Sequence, residues 1–334
     1  MKVKPSHRRN AQVAGVGLVS AALLSACGAV DGELAADDPG LPVVKFGATQ
    51  NPSSIGTVAA VIKQEKLDEE CGVTIKPTAF SPDAADIALL SGQTNMGYFG
   101  YNSWAGSKEK LQKLAMLAPL QAEHGTLFVP EDSTAQSLED LKGKKIALLP
   151  PVSGQYQDFN LLVAKMGHSL EKDFKPVTGP PPAIEAFLKR GEVAAAILFE
   201  PNATNLALAG GFRPLFKLTD QWEEITGDPL YMLGISANKK WLSGHEKEAE
   251  CVVSAVHKAT EMLATDPSVY EDLQDILGAK DQEHLAELTK NLGEIYTYDT
   301  ADEAAPAIDK QLKEAAKLGL IPAVPDPIFS STGG

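Results

Sequence analysis

Ser153 and Gly154 stand where an apolar run, Ile146 to Leu149, gives way to a helical pattern carried by Phe159, Leu161 and Leu162. A strand-to-helix turn gathers free backbone N–H groups and the positive end of the helix dipole, which suits an anionic or strongly polar ligand group. The same residues also read as an ordinary loop of an α/β protein. A second stretch, Asn95 to Trp104, sets Tyr98, Phe99, Tyr101 and Trp104 around Gly97 and Gly100. Aromatic faces wall organic ligands and glycine permits close backbone approach, so Tyr101 and Asn102 are candidate pocket residues. Tyr98 and Phe99 read equally well as core.

Catalytic constellations are missing. The histidines (His7, His124, His168, His245, His257 and His284) show no metal-ligand spacing, and no cysteine pair supplies a zinc site. There is no GxSxG elbow, Walker loop or GxGxxG, so no cofactor, no metal and no enzymatic activity are expected. Only two arginines, Arg190 and Arg213, lie beyond the first 27 residues. A dianion such as sulfate or phosphate wants bidentate donors of that kind. Their scarcity favours a larger organic ligand held by aromatic walls, amides and hydroxyls.

The elements that must position these residues alternate. Val43, Val44 and Phe46 predict a strand, then a polar turn from Thr49 to Ser54, then a helix through Ile55, Val58, Ala59 and Ile62. Val73 with Ile75, Leu114 to Leu120, Val193 to Pro201, Phe212 to Leu218 and Tyr231 to Ser236 predict further strands, with Glu200 at the end of one. Pro82 to Leu90 predicts a helix closed by Gly92, and Leu138 with Leu141 a short one closed by Gly143. Residues 121–126 read as a polar crossing and Val177 to Pro182 as a turn. Alternation of this kind argues for a mostly parallel sheet and α/β architecture. Beyond Val252 four apolar faces at helical spacing make the C-terminal region helical.

The first 27 residues differ from the rest. Lys2, Lys4, Arg8 and Arg9 precede an apolar run from Ala11 to Ala26, the pattern of a secretory signal. Leu24, Ser25, Ala26 and Cys27 resemble a bacterial lipobox, which implies cleavage before Cys27 and lipidation of its thiol; a plain signal peptide cut nearby is the other reading. The pair Arg8 and Arg9 also leaves Sec and twin-arginine export both open. Residues 27–40 are small and acidic, as a tether is. The net charge of −14 excludes nucleic acid as a partner, because a phosphate backbone is repelled. With Cys27 committed to lipid, Cys71 and Cys251 remain as a pair able to form a disulfide in an oxidising compartment.

In this order, SGQTNMGYFG (91–100), LEDLKGKKIALLPPVSGQY (138–156) and GPPPAIEAFLKRGEVAAAILFEP (179–201) resemble the nitrate, sulfonate and taurine type of ABC-transporter substrate-binding protein. The likeness spans roughly residues 43–266. It departs at Asn95 and Ala195, where the family often carries acids; Glu200 with Pro201 fits a pair that recurs among binders of different ligands. The resemblance implies a two-lobed periplasmic-binding-protein type II fold with two chain crossings. One lobe would be 41–122 plus 234–330 and the other 123–233. Gln50, Asn51, Ser53 and Ser54 would then face Ser153, Gln155 and Tyr156, with Glu200, Asp228 and Tyr231 as further candidates. The implied function is capture of a small organic ligand (a sulfonate, aromatic carboxylate or nitrogen heterocycle) by a monomeric, lipid-anchored, exported protein that serves an ABC permease and its ATPase. A ligand sensor for a membrane receptor is the alternative, and an enzyme on the same fold a third.

Overall fold

The computed structural model describes residues 40–331; the expected leader, the expected lipidation at Cys27 and the expected tether up to residue 39 lie outside them. Ten strands form two five-stranded sheets. The first holds β1 (Val43–Thr49), β2 (Thr74–Phe80), β3 (Met96–Gly100), β4 (Leu114–Ala122) and β10 (Tyr231–Asn238), in the order β2-β1-β3-β10-β4. The second holds β5 (Gly125–Pro130), β6 (Lys145–Leu148), β7 (Lys175–Thr178), β8 (Ala195–Phe199) and β9 (Phe212–Lys217), in the order β7-β6-β8-β5-β9. The chain therefore crosses between sheets twice, after β4 and before β10. Near the sheet edge, β1 exposes Val43 and Lys45 and buries Val44, Phe46 and Ala48, the period-two pattern of a strand. β3 and β10, covered on both faces, are buried at every residue.

Each sheet is mixed rather than mostly parallel. β1 runs parallel to β2 and β3, and β6 parallel to β7 and β8. β10 is antiparallel to β3 and β4, and β5 antiparallel to β8 and β9. The reversed strands are the two that follow a crossing: each enters its sheet from the other one and meets its neighbours head to tail. No periodicity in the sequence carries that information.

Local differences have local causes. The aromatic stretch Asn95 to Trp104 is not a loop but β3 followed by the short helix Tyr101–Ala105. The predicted helix around Leu138 is a single 3-10 turn, Glu139–Leu141, stopped by Gly143 at φ +72. The turn expected at Val177 begins inside edge strand β7; helix Asn202–Ala209 had no strong apolar period to announce it, whereas helix Leu218–Thr226 carries Leu218, Trp222 and Ile225 at helical spacing and begins at the residue where the predicted strand ended.

Helix Glu246–Thr265 packs on helices Ser54–Glu65 and Leu67–Cys71. The disulfide Cys71–Cys251 links that pair, with Cα atoms 5.5 Å apart. Helix Gln282–Gly293 reaches the second sheet's side: Asn291 Nδ2 donates to Thr204 Oγ1 (2.7 Å), and His284 Nε2 lies 2.7 Å from Asn205 Oδ1. One apolar cluster is continuous across both sheets, joining Phe99, Tyr101 and Trp104 to Leu127, Ile146 and Phe159.

Candidate ligand-binding cleft

The C-terminal ends of β1, β6 and β8 converge on one cavity of about 50 Å³ between the two sheets. Sites at the carboxyl ends of parallel strands follow from the helices that start there, whose N-termini point inward. Here two twelve-residue helices do so, Ser54–Glu65 from the first sheet's side and Gly154–Lys165 from the second's. Ser53 caps the former by accepting from Gly56 N (2.9 Å), and Ser153 caps the latter by accepting from Tyr156 N (3.3 Å). Both serines, with Ser54 and Gln155, line the cavity. Ser54 Oγ donates to Gln121 Oε1 at 3.2 Å. A wider outer space of about 430 Å³ opens beside it, with Gln50, Asn51 and Pro52 on one rim and Pro180, Pro181 and Pro182 on the other.

The remaining candidates lie elsewhere. Tyr101 is fully buried with its ring edge-on to Phe329 at 6.1 Å. Asn102 is also buried and spends its amide on Asp158 (2.6 Å). Tyr156 turns away from the cavity and donates to Glu171. Glu200 Oε2 accepts from Thr204 N (3.3 Å) at the start of helix Asn202–Ala209 and lines a separate pocket with Lys217 and Asn291. Tyr231 donates to Asp299 (2.7 Å), and Asp228 pairs with Lys310 (2.6 Å). Aromatic or polar type told these residues apart from their neighbours, but burial in the core or partners at the back of the fold absorbed them.

Tyr98, read equally as pocket wall or core, lines the cavity, and other lining residues had not been offered as ligand contacts: Thr49, Asp86, His124, Met232 and Leu233. Asp86 had a signal in the sequence, being an acid on the helix face that also carries Ala85 and Leu89. Burial raises its carboxyl well above the usual range; Lys110 opposes that and Asp83 adds to it. Among the described residues none donates a hydrogen bond to this carboxylate. His124 places Nδ1 3.0 Å from the carbonyl of Ala122, so Nδ1 carries the proton and Nε2 is an acceptor. Burial pushes this imidazole down to about 4, so it is neutral at pH 7. Tyr98 Oη and both amide atoms of Gln155 have no protein partner.

Behind the cavity, the first crossing carries a second polar group. Glu123 Oε1 accepts from Gly125 N (2.6 Å) and Asp158 Oδ1 from Asn102 Nδ2 (2.6 Å), while Glu123 Oε2 and Asp158 Oδ2 have no donor. Burial raises both carboxyls, and each is the other's neighbour. Two buried acids in contact hold a proton between them, because ionising both places like charges together away from water. This pair ties the crossing to helix Gly154–Lys165. Close by, Gly100 and Gly154 pack backbone on backbone: a Cβ on Gly100 would stand 2.5 Å from Gly154 Cα.

Two lobes with a cleft between them, lined where two capped helix N-termini meet, have the architecture of a substrate-binding protein of the periplasmic type. The chain belongs to the ABC-transporter phosphonate periplasmic substrate-binding protein family, whose model matches residues 62–233. Similar solved structures include the alkanesulfonate-binding protein SsuA from Xanthomonas axonopodis pv. citri bound to MOPS (19% identity, 84% of this chain and 95% of that one, TM-score 0.67). SsuA from Escherichia coli is 19% identical over 85% and 90% of the two chains, with TM-score 0.62. The nitrate-binding protein NrtA from Synechocystis PCC 6803 is 14% identical over 86% and 84%, with TM-score 0.63. Among curated proteins nothing matches. Membership implies an exported protein with a small-molecule ligand and an ABC permease as partner. Among the described residues no helix is long and apolar enough to cross a membrane.

Proposed function

We propose that this chain is the lipid-anchored receptor of an ABC importer and captures a small organic ligand, rather than a bare inorganic anion, between two closing lobes. Cys27 is its lipid attachment point and the acidic tether lets the monomeric folded body reach a permease and its ATPase. One lobe comprises residues 41–122 with the region from β10 to about 330, and the other the residues between. The observation that carries this reading is the cavity itself: capped helix N-termini from both lobes meet there, and no arginine or lysine lines it. The inner cavity of about 50 Å³ shares Thr49, Ser53, Pro82 and Phe199 with the outer space of about 430 Å³, a volume within the roughly 300–1,000 Å³ of a ligand site, and closure of the lobes over a ligand there is the expected capture step.

A thermal-shift screen of the mature protein against sulfonates, aromatic carboxylates, nitrogen heterocycles and inorganic anions tests the proposal. A ligand present at 100 times its Kd stabilises the folded state by about 2.7 kcal/mol, which is readily seen as a rise in Tm. The expected result is a shift with one organic class and a smaller radius of gyration by X-ray scattering. Inorganic sulfate or nitrate giving the largest shift would refute the organic-ligand reading.

A further inference from the structure

The cavity's walls present acceptors rather than cations. Asp86, 4% exposed, contributes a carboxyl group without a hydrogen-bond donor, and the cation that acts on it opposes its burial without outweighing it. That cation, Lys110, gives its ammonium to Ser103 O (2.9 Å) and Ser103 Oγ (2.8 Å) and lies over the Phe99 ring. His124 Nε2 adds a second acceptor on a neutral ring. Independently, Gln155, 2% exposed, lines the same cavity with neither amide atom partnered. An unpaired amide and an unpaired carboxyl around one cavity are costly unless something fills them, and buried polar groups in native proteins find partners.

We propose that Asp86, with Gln155 and His124 beside it, is the specificity determinant of the cleft, and that it selects ligands bearing a protonated or strongly donating nitrogen, such as an amine or amino-substituted heterocycle. Burial favours the protonated form of Asp86 in the empty cleft, so an oxyanion finds no guanidinium or ammonium on the cavity wall, whereas a protonated amine brings the counter-charge with which the carboxyl can ionise. The N–H groups that the two capping serines leave free can take an acceptor at the ligand's other end. This inference rests on the binding-protein reading above and adds the group that the site discriminates on.

Matched probes decide it: 3-aminopropanesulfonate against propanesulfonate, and 4-aminopyridine against 4-methylpyridine, measured by calorimetry on the mature protein. The amino member of each pair should bind about ten- to a hundredfold more tightly, the size of a charge-assisted hydrogen bond. Asp86→Asn should abolish that preference without lowering the Tm of the unliganded protein, since it removes a buried acid with no partner. Gln155→Leu should weaken both members of a pair. Propanesulfonate binding as tightly as its amino partner, or Asp86→Asn keeping the preference, would overturn the inference while leaving a ligand-binding protein intact. No binding by any of the four probes at about 10 mM, together with no thermal shift across the wider screen, would overturn the ligand cleft and this inference together.

Discussion

At the scale of single residues, burial sets opposing pH dependences at Glu123 and Asp158 on one hand and His124 on the other. Glu123 and Asp158 are raised above their ordinary 4.5 and 3.8, first by burial. A raised acid stabilises the fold fully below its unfolded value, and that contribution is lost as pH rises through its folded value. His124 is lowered from 6.5 to about 4, also by burial. Its contribution is present above 6.5 and is lost as pH falls towards 4, by up to about 3 kcal/mol. Asp158→Asn should therefore raise Tm relative to wild type by an amount that grows from pH 4 to pH 8. His124→Gln should raise it by an amount that grows from pH 6.5 to pH 4. Parallel Tm–pH curves for wild type and Asp158→Asn would show that the two carboxyls do not share a proton. The groups facing the pair are Asn102 and the backbone amides of Gly125 and His124, none of which titrates.

At the scale of elements, the close approach of β3 to the start of helix Gly154–Lys165 is made by two glycines. A methyl group at residue 100 stands inside the contact distance of Gly154 Cα, and backbone cannot rotate aside as a side chain can. Gly100→Ala should force the two units apart and cost about 1–3 kcal/mol, the usual size of overpacking. Because that strain is greatest when the cleft is shut, ligand affinity should fall about five- to a hundredfold more than the loss of Tm alone implies. Calorimetry against any ligand from the thermal screen, with scattering on the unliganded variant, checks this; unchanged affinity would place the closing motion elsewhere. Neither glycine shows its role in the sequence: Gly97, Gly100 and Gly154 look alike there, and only the pairing of elements separates the one that touches the other lobe.

For the whole molecule, the continuous apolar cluster behind the cavity and the mouth on the other side give the two units unequal freedom. The side carrying Phe99, Leu127 and Phe159 is packed through by apolar side chains, while the other side is joined by polar contacts: Asn202 Nδ2 to Pro52 O (3.5 Å) at the rim, and Asn291 with Thr204 (2.7 Å) and His284 with Asn205 (2.7 Å) behind it. Opening should then pivot on the packed side and part the rims. The Cys71–Cys251 bridge lies within the first sheet's helical layer, 180 residues apart in sequence. Reduction, or Cys71→Ala with Cys251→Ala, should cost about 2–5 kcal/mol by freeing the unfolded chain and lower the urea midpoint by about 1 M. Ligand affinity should stay unchanged, because neither cysteine lines the cleft. A loss of affinity on reduction would mean that the bridge supports the site as well as the fold.

The sequence by itself determined the local pieces. Apolar runs and periods located most strands and helices, the Ser153 turn and the polar stretch through Ser53 and Ser54 marked two helix starts, and cysteine arithmetic left Cys71 and Cys251 as partners. Those signals are short-range, because capping, turns and amphipathic faces are written in neighbouring residues. What faces the cavity was decided by the tertiary structure. Asp86 sits on a helix beside Ala85 and Leu89, and His124 in the two-residue link between β4 and β5, where the sequence had suggested a six-residue crossing; both reach the cavity only because two sheets meet there. Tyr101, Asn102, Tyr156, Glu200 and Tyr231 carried suitable chemistry and were turned into core, latch or cap. Side-chain type states what a residue can bind; the pairing of strands distant in sequence states what stands opposite it, and no local pattern encodes that pairing.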